Sequence, residues 1–369
     1  MKILFVAHKF WPSVGGTQRL ATELAKSLTK KGHQVTVLTS MAGSIQNEQW
    51  MNGIRIIRFR KMRFPLQRPW YVTPGMLLEP AWFEVEIVHT YNFITFQSLI
   101  GAALGKTAGI PLVMTPSYHR WDGLYEKGIG TMTMRSADRL IAQCEMERGE
   151  LARLVDERRI VNVPCGVDRD VFLSLPPAEN FRTKYGLGSS ERVVLYVGAM
   201  GGQKSVVQLL RAMQRVFDSV PDARLVLIGR DAESVNSVLA LEPGLSNKVR
   251  ILGSVRDEDL LGAYSAADAF AFPSKHESFG IALVEAAAAG LPIVSTRVGV
   301  APEIVRDGIN GYVTGFSEKE FASRLIDVLK SPTIGEDARA QRSEVIRTYD
   351  WETVGDSLEQ VYVSVCKGN

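Results

Sequence analysis

The chain has 369 residues, of which 46% are hydrophobic and 22% charged, with a formal net charge of +3. That length suits two domains of ordinary size, each with its own core, and so small a charge gives no ground for a nucleic-acid partner. Three cysteines, Cys144, Cys165 and Cys366, stand far apart without a C-x-x-C spacing, which argues against a disulfide framework or a zinc site and for a reducing compartment.

The opening "MKILFVAHKF" holds an apolar core only from Ile3 to Ala7, too short for a signal peptide, and no stretch approaches the ~18–20 apolar residues of a membrane span. A cytoplasmic protein is expected. Strands are predicted at 2–7, 34–39, 54–59, 85–90, 111–116 and 139–144. Between the first two, Leu20, Ala21, Leu24, Ala25 and Leu28 form a helical apolar stripe that stops at Gly32. This alternation implies a parallel sheet covered by helices on both faces. At 164–190 the rhythm breaks into a Pro-, Gly- and charge-rich stretch that reads as a linker. It restarts with strands at 192–197, 224–229, 248–252, 269–272 and 292–295. The tail reads as a final helix with Trp351, Val354, Leu358 and Val361 on one stripe. The predicted fold class is α/β, two tandem doubly wound Rossmann-like domains facing a central cleft, with ligands beyond the strand carboxyl ends.

Two segments carry candidate chemistry. In "YVGAMGGQKSVVQLL", 196–210, a strand meets glycines, Lys204-Ser205 and a helix, as in a P-loop, but Gln203 stands where the Walker pattern has its last glycine. A P-loop NTPase also needs a strand ending in a metal-binding Asp, and in "RLVLIGRD" Gly229 and Arg230 intervene before Asp231. In "KHESFGIALVEAAAAGLPIVST", 275–296, Glu277 precedes a Gly280 turn and Glu285 lies in the second turn of an Ala-rich helix. The start of that helix suits phosphate or sugar oxygens, and the carboxylates suit sugar and ribose hydroxyls. The alternative on spacing alone is a charge favouring the helix dipole and a solvated helix Glu.

The Glu277-x7-Glu285 pattern, following "YSAADAFAFPS" (264–274), resembles glycosyltransferase family 4, retaining enzymes of the GT-B fold. The likeness spans nearly the whole chain: "FWPSVGGTQRLATELAKSLTKKGHQVTVLTS" (10–40), "GIPLVMTPSYHRW" (109–121), "VPCGVDRDVF" (163–172), "DGINGYV" (307–313) and "WETVGDSLEQVY" are similar to further family segments in family order. The resemblance implies a first domain at 1–170 that handles the acceptor, a terminal helix at 351–369 crossing back to it, and a nucleotide-sugar donor domain at 190–350. It implies that Glu285 holds the ribose hydroxyls and Glu277 a hydroxyl of the transferred sugar. Ser278 and the amides of Phe279, Gly280 and Ile281 meet the diphosphate-sugar, with Lys204 on the diphosphate. Gly15 and Gly16 let the first-domain backbone approach it, their other reading being an ordinary strand–helix turn. The base is expected against backbone near Gly253–Arg256, Val255 included. No cofactor and no metal are implied.

Two departures stand out. The family's Arg five residues before the Lys is Ala199 here, with Arg256 or Arg297 as conceivable substitutes. The family's His six residues after the Pro of its "PLV" segment is Ser117, with His119 two positions on, so Ser117 and His119 share the candidate place at the transfer centre. In a front-face displacement the main task is to stabilise charge on the departing diphosphate, which falls to Lys204 and the helix start at 279–281. Closure about the linker would exclude water.

For the acceptor, no acidic residue occurs from Gln49 to Leu78, while Arg55, Arg58, Arg60, Lys61, Arg63 and Arg68 mix with Phe59, Phe64, Trp70 and Tyr71. A basic, aromatic surface through 55–71 would suit an anionic membrane and a lipid-linked acceptor, and a sugar-phosphate acceptor would use the same charge. The other reading is a strand with alternate residues exposed and a solvated loop. The sequence therefore points to a retaining glycosyltransferase acting on a carbohydrate, lipid-linked or sugar-phosphate acceptor. A degenerate, non-catalytic sugar-nucleotide binder is the alternative from another class, motivated by Ala199 and Ser117.

Overall fold

Short β-branched runs separated by amphipathic helices leave a chain few options but to stack its strands in parallel and cover both faces. The computed structural model, which describes residues 1–13, 15–41, 47–63, 71–118, 128–241, 243–315 and 317–367, does so twice. The chain divides into two compact units, Met1–Gly166 with Trp351–Asn369, and Val167–Asp350.

The first unit runs β1 (Lys2–Ala7), α1 (Gly16–Lys30), β2 (Gln34–Ser40), β3 (Glu48–Met51), β4 (Ile54–Phe59), β5 (Met62–Arg63), β6 (Tyr71–Val72), β7 (Ile87–Tyr91), α2 (Phe96–Ala108), β8 (Leu112–Thr115), α3 (Ile129–Ser136), β9 (Arg139–Ala142), α4 (Glu145–Ala152) and β10 (Ile160–Asn162). Eight strands form one sheet in the order β10-β9-β8-β7-β1-β2-β4-β3. Every neighbour is parallel except the edge strand β3, while β5 and β6 make a separate antiparallel pair. Ile3, Leu4, Phe5 and Val6 of β1 are wholly buried, as the centre of a two-faced sheet requires. The strands β3, β5, β6 and β10 lay beyond the predicted set, and β5, β6 and β10, at two or three residues, are too short to show a period.

The second unit runs α5 (Arg169–Leu173), α6 (Ala178–Lys184), β11 (Arg192–Val197), α7 (Val206–Ser219), β12 (Ala223–Ile228), α8 (Glu233–Leu241), α9 (Pro243–Ser246), β13 (Val249–Gly253), α10 (Asp257–Ala266), β14 (Ala269–Phe272), α11 (Ile281–Ala288), β15 (Ile293–Thr296), α12 (Ala301–Ile304), β16 (Gly311–Thr314), α13 (Glu318–Lys330) and α14 (Pro332–Tyr349). Its sheet is all parallel, ordered β13-β12-β11-β14-β15-β16. The short edge strand β16 lay beyond the predicted set.

The expected linker at 164–190 needs correction. From Val167 onward it belongs to the second unit, because Phe172 and Phe181 bury there and Arg182 of α6 donates to the carbonyls of Glu191 and Ala266 at 2.9 and 2.7 Å. A Pro- and Gly-rich composition marked short helices and turns, and the chain passes between the units at Gly166–Val167 and Asp350–Trp351.

The last helix, α15 (Trp351–Lys367), packs on α1. Leu358 and Tyr362 are fully buried, and Lys31 and His33 pair with Asp356 and Glu359. The Tyr362 hydroxyl meets Nδ1 of His89 on β7 at 2.5 Å, and Nε2 of that imidazole lies 2.8 Å from Thr115 Oγ1. Burial holds His89 neutral, with its pKa lowered to about 3.

Candidate active site

In the second unit the loops that follow β11, β12 and β13 lie at one edge of the sheet. They are stitched by Gly198 N–H to the Ile228 carbonyl at 2.9 Å and Gly229 N–H to the Gly253 carbonyl at 2.8 Å. Gly229 has to be glycine: its φ is +145°, and a Cβ there would sit 1.8 Å from the Gly198 oxygen. Beyond Gly198 the chain turns through Ala199 to Gly202. The Tyr196 hydroxyl fixes this turn by donating to the Ala199 carbonyl at 2.7 Å. Lys204 then emerges one residue before Ser205, which starts α7 in a left-handed conformation at φ 55°.

Lys204 forms an ion pair with Glu277. The lysine comes from the loop after β11 and the glutamate from the loop between β14 and α11, adjacent strands whose carboxyl ends share one edge. The side chains are 29% and 12% exposed, so the pair is shielded yet open to solvent. Beside it α11 begins at Gly280, whose φ of +90° suits glycine, with no side-chain cap and no acid in its first turn. The first N–H groups of α11 therefore lack the usual side-chain acceptor. Phe279 is buried, its ring 6.3 Å from that of Tyr349, and its carbonyl accepts from Val300 N–H at 2.8 Å. Gly299 makes this close approach with φ +52°, where a Cβ would lie 2.0 Å from the Phe279 oxygen.

Glu285, on the second turn of α11, is 4% exposed and accepts from the Tyr264 hydroxyl of α10 at 2.8 Å. It is not a solvated helix Glu. Ser278, Ile281 and Val255 are half-buried, while Arg256, 76% exposed, sits 3.9 Å from Asp259, and Arg297 is exposed. Nothing in the local pattern of residues 264–285 announced the Tyr264 partnership, which depends on the packing of α10 and α11 around β14.

In the first unit Gly15 caps α1 without a side-chain hydrogen bond, and Gly16 begins the helix. Ser117, in a left-handed conformation at φ 48°, lies 3.5 Å from Thr17 of that helix and accepts from Gln143 Nε2 at 3.0 Å. Thus the structure brings Ser117 to the Gly15–Gly16 turn. His119 lies outside the described residues. Beneath Ser117, Glu147 accepts from the backbone N–H groups of Tyr118 and Gln143 at 2.5 and 2.7 Å. Full burial pushes its carboxyl from 4.5 up to about 8 against those two hydrogen bonds. Thr17, Gln143 and Glu147 carried no expectation, since they meet only through the fold.

Of the basic stretch, Arg55 pairs with Glu48 on β3 at 2.7 Å. Arg58 is buried, its guanidinium donating to the Trp11 carbonyl at 3.0 Å and Gln49 Oε1 at 3.2 Å, which corrects its place on a basic surface. Arg60 is exposed and Lys61 half-buried. Phe64, Arg68 and Trp70 lie outside the described residues, as do the side chains of Arg63 and Tyr71. Among the described residues no helix is long and apolar enough to cross a membrane, and no group of three or more His, Cys, Asp or Glu side chains could hold a metal ion.

Both halves of the chain match known protein families. Residues 14–171 match the model of Glycosyltransferase Family 4, and residues 177–347 match that of Glycosyl transferases group 1. An uncharacterised glycosyltransferase of Methanocaldococcus jannaschii is 27% identical over 389 aligned positions, covering 98% of each chain. A D-inositol 3-phosphate glycosyltransferase of Segniliparus rotundus is 28% identical, covering 96% of this chain and 85% of its own. Among solved structures, sucrose-phosphate synthase of Thermosynechococcus elongatus superposes with a TM-score of 0.78 at 21% identity, over 100% of this chain and 99% of that one. Anabaena HepE in complex with UDP-glucose superposes with a TM-score of 0.77 at 21% identity, over 99% of this chain and 100% of that one. Two Rossmann-like units with strand-edge loops of this kind, matched over both halves, make the chain a glycosyltransferase of family 4, with the GT-B fold.

Proposed function

We propose that this transferase moves a sugar from a nucleoside-diphosphate donor to an acceptor with retention of anomeric configuration. The observation that carries the reading is the Lys204–Glu277 pair beside the uncapped start of α11. A cation and a helix start without a side-chain cap at one strand edge suit a diphosphate, and a carboxylate suits the hydroxyl of an attached sugar. Lys204 holds the diphosphate with Ser278 and the backbone at Phe279, Gly280 and Ile281. Glu277 accepts from a sugar hydroxyl, Glu285 from the ribose, and the backbone around Val255 receives the base. Gly15 and Gly16 allow close backbone approach to the diphosphate, and Ser117 with His119 lines the transfer centre.

As the glycosidic bond to the diphosphate breaks, positive charge grows on the sugar ring and negative charge on the leaving oxygens. Lys204 and the α11 start stabilise the latter. The departing phosphate takes the acceptor's proton, so no side-chain base is required. Retention rests on the likeness to family 4. A UDP-sugar is the first donor to try, because HepE binds UDP-glucose, and inositol 3-phosphate the first acceptor, because that is the substrate in the name of the Segniliparus relative. The chain works in the cytoplasm, and the remaining basic residues of 55–71 dock it on anionic lipid when the acceptor is lipid-linked.

The test is thermal stabilisation by UDP, GDP, ADP, ATP with Mg²⁺ and the matching diphosphate-sugars, followed by nucleotide release with acceptor. A ligand at 100 times its Kd adds about 2.7 kcal/mol, visible as a raised midpoint. One nucleoside diphosphate and its sugar are expected to stand out without metal, and the product to keep the donor's anomeric form. Stabilisation by ATP with Mg²⁺ alone would overturn the assignment.

A further inference from the structure

The Lys204–Glu277 pair is neutral as a whole, so it brings no net charge to the strand edge of the second unit. A diphosphate is a multiply charged anion, and more negative charge gathers on it as the glycosidic bond breaks. Electrostatics therefore favours a second cation within reach of the Lys204 turn. Arg256 and Arg297, the substitutes conceivable from sequence, stand on the loops after β13 and β15, and neither strand adjoins β11. Strand β12 does, and the loop after it carries Arg230. Backbone hydrogen bonds join that loop to the Lys204 turn. Val197 lies opposite Ile228, Gly198 N–H donates to the Ile228 carbonyl at 2.9 Å, and Met200 N–H donates to the Arg230 carbonyl at 2.8 Å. Between these two bonds Gly229 passes too close to the Gly198 oxygen for any side chain, so Arg230 is the first residue after β12 to offer one at the edge.

The Arg230 side chain is 68% exposed. It pairs with its own neighbour Asp231, itself 62% exposed, at 3.7 Å. A surface pair of this kind contributes little and is readily exchanged for a ligand. Asp231 takes a left-handed conformation at φ 67°, so the loop turns directly after Arg230. Sheet order then sets a row along the edge: Val255 after β13, Arg230 after β12, Lys204 after β11 and Glu277 after β14. Neighbouring strands lie roughly 4.8 Å apart, a step that an extended arginine side chain exceeds. A nucleoside diphosphate-sugar laid along the row, with its base on the β13 loop and its sugar at Glu277, carries its phosphates across Arg230 and Lys204. The planar fork of a guanidinium matches phosphate oxygens two at a time, which a lysine cannot do.

We propose that Arg230 is a diphosphate-binding residue of the donor site, supplying the positive charge that Glu277 cancels on Lys204. When the donor enters, the guanidinium leaves Asp231 for the phosphate oxygens, and it holds the departing diphosphate together with Lys204. The inference rests on the donor reading above, and the experiment separates the failure of one from the failure of the other.

The experiment uses the full chain, as wild type and as Arg230→Gln, Arg230→Lys, Asp231→Asn and Lys204→Ala. Arg211→Gln, which removes one positive charge from the exposed side of α7 where it pairs with Glu318 at 3.6 Å, controls for net charge. Titration calorimetry compares whichever of UDP, GDP and ADP stabilises the protein most with its nucleoside, which has no phosphate. Arg230→Gln should weaken the diphosphate about fivefold, the lower end for a charge-assisted bond at an exposed site, and leave the nucleoside unchanged. Arg230→Lys should recover part of the loss, and the deficit should shrink as salt screens the charge. Asp231→Asn, which a left-handed turn tolerates, should tighten the diphosphate about twofold by releasing the guanidinium. Arg211→Gln should bind as the wild type does. If Arg230→Gln also binds as the wild type does while Lys204→Ala is weakened, Arg230 has no part in the site and the donor reading stands. Equal losses for diphosphate and nucleoside in Arg230→Gln, with nothing recovered by lysine, would mean a distorted loop and refute the inference equally. A wild type that binds none of the three diphosphates overturns the donor reading, and the role of Arg230 with it.

Discussion

Lys204 and Glu277 offer a prediction whose sign depends on what the pair is for. If the lysine awaits a diphosphate, Glu277 is a competitor that the nucleotide must displace, and the two side chains should have opposite effects on UDP binding. Lys204→Ala removes one charge-assisted hydrogen bond, worth about 1.5–3 kcal/mol, so UDP should bind about 10- to 100-fold more weakly. Glu277→Gln removes a negative charge a few ångströms from the incoming diphosphate. With the pair 29% and 12% exposed, screening leaves about 1 kcal/mol of that repulsion, so UDP should bind about fivefold more tightly. The diphosphate-sugar should not share the gain, since the glutamine loses the carboxylate that accepts from the sugar hydroxyl, and turnover should fall steeply. Titration calorimetry with UDP and UDP-glucose, and a transfer assay, read all three effects. If Glu277→Gln weakens UDP as much as Lys204→Ala does, the pair is a clamp that shapes the loop, and the reasoning fails.

Gly299→Ala must push the Phe279 carbonyl away from a Cβ 2.0 Å distant at φ +52°, so it should cost more than about 2 kcal/mol and weaken nucleotide binding. Gly201→Ala, with nothing within 4 Å, should leave the thermal midpoint nearly unchanged, and equal midpoints for the two variants would contradict the strain. Stability should also depend on pH from both sides. Glu147 keeps its proton in the fold to about pH 8 while the unfolded chain loses it from 4.5, so stability falls between those values by at most about 1.4 kcal/mol per unit. His89 stays neutral in the fold to about pH 3 while the unfolded chain protonates below 6.5, so stability falls on that side too as pH drops. The two slopes oppose each other between 4.5 and 6.5, which leaves a plateau there, and Glu147→Gln should flatten the alkaline limb of the midpoint profile. A midpoint that rises from pH 6.5 to 8 would count against a buried neutral carboxyl. Ending the chain at Asp350 should unfold the first unit, because Trp351, Val354, Leu358, Val361, Tyr362 and Val365 are buried and each contributes about 1.5–3 kcal/mol. Proteolysis and near-ultraviolet circular dichroism would show it, and an unaltered profile would mean α15 is only a surface attachment.

What the sequence by itself determined is what repeats locally. The strand–helix alternation and the apolar stripes of α1 and α7 are set by period, because a buried face recurs every 3.6 residues or every residue of a two-faced strand. Lys204 in the glycine turn before α7, and Glu277 with Gly280 before α11, were each legible as local patterns for a related reason, but their meeting across 73 residues was decided by the pairing of β11 with β14. Tertiary structure alone decided which distant residues meet. The Pro-rich 167–190 stretch joined the second unit because Phe172 and Phe181 found a core, a fact about partners and not about composition. Glu285 met Tyr264, Ser117 met Thr17 and Gln143, and His89 met Tyr362, 273 residues away, through packing that no local pattern encodes. Arg58 shows the limit most clearly. Its neighbours in sequence made it one of a run of surface cations, and the fold placed it inside, against the Trp11 carbonyl and Gln49 of the neighbouring strand β3, partners that no local pattern encodes.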